Sequence, residues 1–415
     1  MRPTTSDGAP IQKQIHFIRH GKLQLLIFLI SLYFMVNYLD LFQDPTDSLV
    51  SNIRMASFGA NLVILYLGVL FLPEPSKIRP HPLFWKISQA AALAYAVNVL
   101  LWLCFTKENL QFVLQRVYDG KLGKPLGEKS YAEDCRVFTP ENLLSYFYNI
   151  TSSFDMFVAA HFLGWMFKIW IFRNSTMAWF LSVGFEIMEW TMEVWLPNFK
   201  ECWWDHFLFD LFGCNLIGML IGKWTINKFN MRKMHWFMER TDKWESMNWW
   251  QRTKYVFTSR DEYVKNDKWH WLAEPWTFNA ILWFWFMNLY LDLSYFYNKA
   301  MIDIPPPHWL CSIRIWILGF FAILAANDYY DYVVLRKCNS MTVPIFLIHV
   351  IMILEGLLFL KNLRADLFDS PLHYHIKVFW ISFFIIVAAV QVWLLYDRDA
   401  KQRKYGGVAN TKKVK

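Results

Sequence analysis

Ten apolar runs of about twenty residues each constrain the fold of this chain more than any other feature. Each run is long enough for a helix to cross the hydrocarbon core of a bilayer. Inside a bilayer the backbone must satisfy its own hydrogen bonds, which an α-helix does within one segment. The sequence therefore predicts an all-α, polytopic integral membrane protein with about ten transmembrane helices. The runs lie near residues 23–42, 55–73, 83–105, 153–173, 177–196, 203–224, 276–298, 309–332, 341–361 and 375–396.

The composition of the chain supports this class. Of the 415 residues, 55% are hydrophobic and 19% are aromatic, which fits a membrane protein better than two soluble domains. We predict a cytosolic N-terminal segment at 1–22, one transmembrane catalytic domain at 23–396 and a basic cytosolic tail at 397–415. The domain contains a luminal loop, 106–142, and a cytosolic interfacial segment, 225–275. The net charge of +8 indicates contact with an anionic membrane surface and not with nucleic acid.

The distribution of Lys and Arg predicts an orientation in the membrane. Short connections alternate between basic and nearly uncharged, and basic connections stay on the cytosolic side. Both termini then face the cytosol, and the turn at 197–202 faces the lumen or exterior. The last four residues, 412–415, resemble the dilysine address that retrieves membrane proteins to the endoplasmic reticulum, although an ordinary basic tail has the same composition.

Six carboxylates crowd into one strongly apolar stretch, in which Lys200 is the only side-chain cation. Ionised carboxylates at membrane depth cost on the order of several kcal/mol each unless a cation compensates them. One lysine does not suffice for six acids, so the pattern predicts a bound divalent cation. The six are Glu186, Glu189, Glu193, Glu201, Asp205 and Asp210.

Helix geometry predicts that the deepest of these acids converge on one level. Glu186, Glu189 and Glu193 are spaced i, i+3, i+7 and share one helix face. Glu186 and Glu189 lie roughly 15 and 10 Å below the luminal helix end, and Asp210 on the next helix lies roughly 10 Å deep. His161 on the preceding helix lies roughly 12 Å deep. We therefore predict that His161 is a general base beside the acids, which would raise its basicity.

The predicted ligand set consists of oxygen atoms. Asn198, Glu201 and Asp205 close the luminal end above the buried acids. Carboxylate and amide oxygens suit Ca²⁺, or Mg²⁺ and Mn²⁺ with retained waters. Scarce histidine and the absence of paired cysteines argue against structural zinc. An alternative stays open, in which the acids face a water-filled cavity and bind no specific ion.

A cation beside a base, open to one leaflet, suits displacement at a lipid phosphate. The sequence has no P-loop, no HExxH motif and no CDP-alcohol transferase signature, since nothing that matches follows Asp119-Gly120. Exchange of one phosphodiester alcohol for another is close to energy-neutral and needs no ATP. The acidic cluster offers no well-placed Ser or Cys in the sequence, which disfavours a covalent intermediate.

Several strings of this sequence resemble one family. LPNFKECWWDHFLFDLFGCN, preceded by FEIMEWTME and by FDMFVAAHFLGWMFKIWIFR, is similar to the eukaryotic base-exchange phosphatidylserine synthases. RPHP and LGKPLGEKSYAEDC match the same family, so the resemblance spans roughly residues 55–335. It implies a phosphatidyltransferase that exchanges free L-serine for the ethanolamine or choline of phosphatidylethanolamine or phosphatidylcholine. It further implies Ca²⁺ as the cofactor and the endoplasmic reticulum membrane as the location, with the active site towards the lumen.

The resemblance also assigns roles to residues. It implies that His161, Glu186 and Glu189 are catalytic. Arg314 matches a family arginine, for which we predict binding of a substrate phosphate or carboxylate. Snorkelling to the interface or an ion pair with an acid of the cluster is the alternative for Arg314. The calcium-associated set is Glu186, Glu189, Asn198, Glu201, Asp205 and Asp210.

Two functions of other classes stay open. Buried acids also serve cation transporters and channels, although these acids stay in the predicted luminal half. A membrane scaffold that binds calcium without catalysis is the second. The sequence leaves open the donor head group, any product-feedback site, the number of calcium ions and whether the protein forms a homodimer. It also leaves open a disulfide between Cys135 and Cys202, both on predicted luminal connections.

Overall fold

The described part of the chain consists of helices and the turns and loops that connect them, without β-strands. The computed structural model describes residues 29–30, 33, 49–73, 82–124, 132–141, 146–154, 156–196, 199–229, 248, 250–251, 272, 274–333, 341–369 and 372–411. The α-helices are α1 (Leu49–Phe71), α2 (Pro82–Cys104), α3 (Lys107–Val113), α4 (Tyr148–Ser153), α5 (Met156–Phe172), α6 (Ser175–Met192), α7 (Leu216–Lys228), α8 (Pro275–Met301), α9 (Trp309–Val333), α10 (Val343–Asp369) and α11 (Tyr374–Thr411). Two π-helices, Leu114–Tyr118 and Asp205–Asn215, extend α3 and lead into α7. We call Asp205–Asn215 the π segment.

Nine of the ten predicted apolar runs coincide with helices of the structure. The first run, 23–42, lies almost wholly outside the described residues. Within the described ranges, six helices are long and apolar enough to cross a membrane, and the shorter Phe157–Phe172 is also apolar. The protein is therefore an all-helical, multi-pass membrane protein, while the count of about ten transmembrane helices stays a prediction. Most of the interfacial segment 225–275 also lies outside the described residues.

Helix α5 lies directly against α7 because two glycines face it. Gly218 and Gly222 stand four residues apart on α7. A Cβ atom at Gly218 would overlap the carbonyl oxygen of Phe162, and one at Gly222 would overlap the side chain of Ile169. Small residues at this spacing let two membrane helices approach backbone to backbone. This contact holds α5 alongside α7 and the π segment that precedes it.

A buried polar network joins α8 to α2, α9 and α10. Glu355 on α10 is 2% exposed and accepts hydrogen bonds from Arg314 Nη2 at 2.9 Å and Ser294 Oγ at 2.9 Å. Tyr95 also donates to Glu355, and the Asn298 amide donates to the Glu355 carbonyl oxygen at 3.1 Å. Because Ser294 and Asn298 both belong to α8, the network fixes the last third of that helix.

A disulfide joins Cys135 to Cys202, with a Cα–Cα distance of 5.3 Å. The sequence alone left open whether these two cysteines are bonded. Trp204 adds a hydrogen bond from its Nε1 to the carbonyl oxygen of Cys135 at 3.2 Å. The two links tie the loop at 132–141 to the chain that leads into the π segment.

Candidate active site

A cavity of about 60 Å³ lies where α5, α6, α8 and the π segment meet. Its apolar wall includes Phe157, Val158, Leu196, Phe199 and Phe296. Its polar wall brings together most of the residues that the sequence predicted to be functional. The polar lining residues are Ser153, His161, Glu189, Glu201, Asp205, Asp210 and Lys299.

His161 faces a carboxylate at the wall of this cavity. Its Nδ1 lies 3.2 Å from Oδ1 of Asp210. The ring of Phe185 packs edge-on against the imidazole, with 6.1 Å between ring centroids. A carboxylate at this distance stabilises the protonated imidazole, and it leaves Nε2 as the nitrogen that can accept a proton from a substrate.

The π segment brings its polar residues to one side. Asp205, Asp210 and Asn215 follow one another at intervals of five residues, and all three are buried. In an α-helix, residues five apart lie roughly 140° apart around the axis. In a π-helix the backbone hydrogen bonds join residues five apart, which brings such residues close to one face. Asp205 and Asp210 therefore both reach the cavity, and Asn215 reaches Glu186 on α6.

A second group of polar side chains lies behind the cavity. Asn215 Nδ2 donates to Glu186 Oε1 at 2.9 Å and to Ser182 Oγ at 3.0 Å. The other carboxylate oxygen of Glu186, Oε2, lies 3.2 Å from Nδ1 of His206. The same nitrogen lies 3.5 Å from Oε2 of Glu201. His206 thus links Glu186, which does not line the cavity, to Glu201, which does.

The arrangement suits a divalent cation. Glu186, Glu189 and His206 each offer one ligand atom, and these atoms lie within 4.8 Å of one another. Oε2 of Glu189, Oε2 of Glu201 and Nε2 of His206 are buried and have no hydrogen-bond partner among the described residues. Buried polar atoms of this kind call for a ligand, since leaving them unsatisfied costs about 1–3 kcal/mol each. The carboxylate oxygens suit Ca²⁺, Mg²⁺ or Mn²⁺, whereas the imidazole of His206 departs from the all-oxygen ligand set that the sequence predicts and is more typical of a transition metal.

Two residues singled out in the sequence lie away from the cavity. Glu193 sits at the end of α6, where its Oε1 is 3.9 Å from Nε2 of His373 and away from the cavity. Arg314 does not line the cavity and is held by Glu355 in the buried network, so its role in substrate binding stays a prediction. Asn198 lies outside the described residues.

Three residues of the site were not predicted from the sequence. His206 directly follows Asp205 in the sequence, and this adjacency could have identified it as a site residue. Lys299 lies one residue beyond the apolar run predicted at 276–298, but it is 8% exposed and belongs to the helix. Ser153 lines the cavity, so the expectation that no serine is well placed was wrong. Its hydroxyl donates to the carbonyl oxygen of Asn149 at 3.2 Å.

The fold and the site define a multi-pass helical membrane protein with a buried acid–imidazole centre. The family described as phosphatidyl serine synthase matches residues 80–363, a range that includes every lining residue of the cavity. The chain belongs to this family and is a phosphatidyltransferase.

Similar proteins come from plants and animals. CDP-diacylglycerol–serine O-phosphatidyltransferase 1 of Arabidopsis thaliana is 32% identical over 294 residues, which cover 70% of this chain and 68% of that protein. Phosphatidylserine synthase 2 of Mus musculus is 28% identical over 376 residues, covering 89% of this chain and 77% of that protein. The phosphatidylserine synthase of Drosophila melanogaster is 26% identical over 361 residues, covering 82% of this chain and 66% of that protein.

Proposed function

We propose that this protein makes phosphatidylserine by calcium-dependent base exchange, replacing the ethanolamine or choline of an existing phospholipid with L-serine. Family membership assigns phosphatidylserine synthesis to the chain. The observation that carries the proposed route is the pairing of His161 with Asp210 at the wall of a cavity otherwise rich in carboxylates. Such a centre supplies a base for an alcohol and a site for the cation that a phosphate needs.

The proposed reaction is one displacement at phosphorus. His161 takes the proton from the serine hydroxyl, and Asp210 stabilises the imidazolium that forms. The serine oxygen forms a bond to the phosphorus of the lipid while the bond to the head-group oxygen breaks. The departing alcohol oxygen takes up one proton from solvent and His161 releases its proton to solvent, so atoms and charge balance. A divalent cation held by Glu186, Glu189 and their neighbours would neutralise the charge that develops on the phosphoryl oxygens.

A second route to phosphatidylserine would use a different phosphatidyl donor. The name of the plant relative states a CDP-diacylglycerol donor. Against that route, this sequence lacks the CDP-alcohol transferase signature that such a donor usually requires. An existing phospholipid is therefore the donor that we propose.

Donor and route are tested together by the product that leaves. Purified protein would receive labelled L-serine with vesicles of phosphatidylethanolamine, phosphatidylcholine or CDP-diacylglycerol. We expect one ethanolamine or choline released for each serine incorporated. Release of CMP in its place would contradict base exchange, and no incorporation from any donor would favour the transport or scaffold functions.

The proposed location is the endoplasmic reticulum membrane, with both termini in the cytosol and the cavity towards the lumen. The disulfide Cys135–Cys202 supports this orientation, because disulfides persist in oxidising compartments. Its second cysteine, Cys202, lies three residues before Asp205, which lines the cavity. Labelling of engineered surface cysteines in sealed microsomes would test the orientation.

A further inference from the structure

We propose that Lys299 binds the carboxylate of the serine acceptor and so selects serine over amino alcohols that lack a carboxylate. The inference rests on the proposed function for the identity of the acceptor. It does not depend on which lipid donates the phosphatidyl group.

Lys299 belongs to the wall of the acidic cavity. It lies on α8, two residues before the helix ends, and is 8% exposed. Its Nζ lies 5.5 Å from the ring centroid of Phe296, another lining residue. An ammonium group is buried at a high cost unless negative charge compensates it. Four carboxylates line the same cavity.

The position of Lys299 is fixed by its helix. Ser294 and Asn298, on the same helix, donate hydrogen bonds to the side chain and the backbone carbonyl of Glu355. The backbone of Ile304 donates to the carbonyl oxygen of Lys299 at 3.0 Å and closes the helix end. A binding group on a rigid helix keeps its geometry better than one on a loop.

The charges of the cavity explain why serine needs this residue. Serine is a zwitterion, so its ammonium group is attracted to an acidic wall while its carboxylate is repelled. Among the described residues that line the cavity, Lys299 is the one basic side chain besides His161. In the proposed function the divalent cation neutralises the lipid phosphate, so we assign the serine carboxylate to Lys299. The acidic lining residues are Glu189, Glu201, Asp205 and Asp210.

The test compares two acceptors in two variants. Lys299→Met removes the charge and keeps most of the apolar stem, and Lys299→Arg keeps the charge. Lys200→Met is the matched control, because Lys200 is an exposed lysine beside Glu201 that does not line the cavity. Each full-length protein in phospholipid vesicles would receive L-serine or L-serinamide, which keeps the hydroxyl and ammonium groups of serine and lacks its carboxylate.

We expect wild type to prefer serine over serinamide in kcat/KM. Lys299→Met should raise the KM for serine roughly 10- to 100-fold, as expected for a lost charge-assisted hydrogen bond, and should leave serinamide turnover within about 2-fold. Lys299→Arg should regain part of the preference, and Lys200→Met should match wild type. The stabilisation of wild type by serine, read as a rise in Tm, should be lost in Lys299→Met only.

Two outcomes would overturn the inference. An equal loss of activity with serine and serinamide in Lys299→Met, or a raised KM for the lipid alone, would assign Lys299 to the lipid phosphate or to folding. Wild type that uses both acceptors equally would show that no side chain reads the carboxylate. If wild type transfers serine from CDP-diacylglycerol only, base exchange fails while the same comparison still decides the role of Lys299.

Discussion

Asn215 offers a sharp test of how the site is held together. Its amide supports the buried Glu186 carboxylate from the end of the π segment and also bonds Ser182. Asn215→Leu keeps the approximate size and removes both hydrogen bonds. The matched control is Asn98→Leu, because Asn98 on α2 also donates two hydrogen bonds, to Asn61 Oδ1 at 2.6 Å and Ala94 O at 2.7 Å, and is not part of the cavity.

The expected size of the effect follows from these contacts. A hydrogen bond to a charged group is worth about 1.5–3 kcal/mol and one between neutral groups about 1 kcal/mol. Asn215→Leu should therefore lower the free energy of unfolding by roughly 2.5–4 kcal/mol, against roughly 2 kcal/mol for Asn98→Leu. Because Glu186 also contacts His206, the change should displace a ligand of the predicted cation site. A displacement of about 1 Å in such a site reduces turnover about 100-fold.

Two assays read the outcome. Thermal unfolding followed by tryptophan fluorescence gives the loss of stability, and labelled serine incorporation gives the activity. We expect Asn215→Leu to lose 10- to 100-fold in activity, by the same geometric argument, and to lose most of the Tm rise that calcium produces. Asn98→Leu should keep both. Wild-type activity and calcium response in Asn215→Leu would refute the assignment of Glu186 to the site.

Three further predictions concern the base, the disulfide and the buried arginine. His161→Gln should lower serine incorporation about 10²- to 10⁴-fold with little change in Tm, as expected for loss of a general base. Cys135→Ser should lower stability by about 2–4 kcal/mol and leave Cys202 as a free thiol that reagents modify after denaturation under non-reducing conditions. Arg314→Met should destabilise by about 3–5 kcal/mol because Glu355 is left buried and unpaired, and Arg314→Met with Glu355→Met should recover stability and activity. An inactive but stable double variant would instead assign Arg314 to substrate binding.

The apolar runs and the proximity of His161 to Asp210 could be predicted from the sequence. Helix length and hydrophobicity are local properties, so nine runs coincide with helices, although α10 and α11 continue well beyond the runs at 341–361 and 375–396. The level of His161 and Asp210 followed from a fixed rise per residue, and the structure sets their side chains 3.2 Å apart. The position of a residue along its helix can be estimated without knowing which helices are neighbours.

The rest depends on features that the pattern does not encode. In a regular α-helix Asp205 and Asp210 would point to different sides. No residue type in the π segment indicates that this segment forms a π-helix. Arg314 and Glu355 lie far apart in sequence, so their pairing could not be seen without the packing of α9 on α10. Lys299 lies just beyond the apolar run at 276–298, because hydrophobicity marks where a run ends and the helix continues to Met301.

The most direct test of the account is the stoichiometry of a serine transfer that depends on both calcium and the site. Purified wild type and Glu189→Gln would be supplied with phosphatidylethanolamine or phosphatidylcholine vesicles and labelled L-serine, with Ca²⁺ or with chelator. We expect wild type with Ca²⁺ to release one amine per serine incorporated. With chelator, or in the folded Glu189→Gln variant, we expect almost no serine incorporation and almost no amine release. Undiminished transfer by wild type with chelator, or by Glu189→Gln with Ca²⁺, would contradict the account.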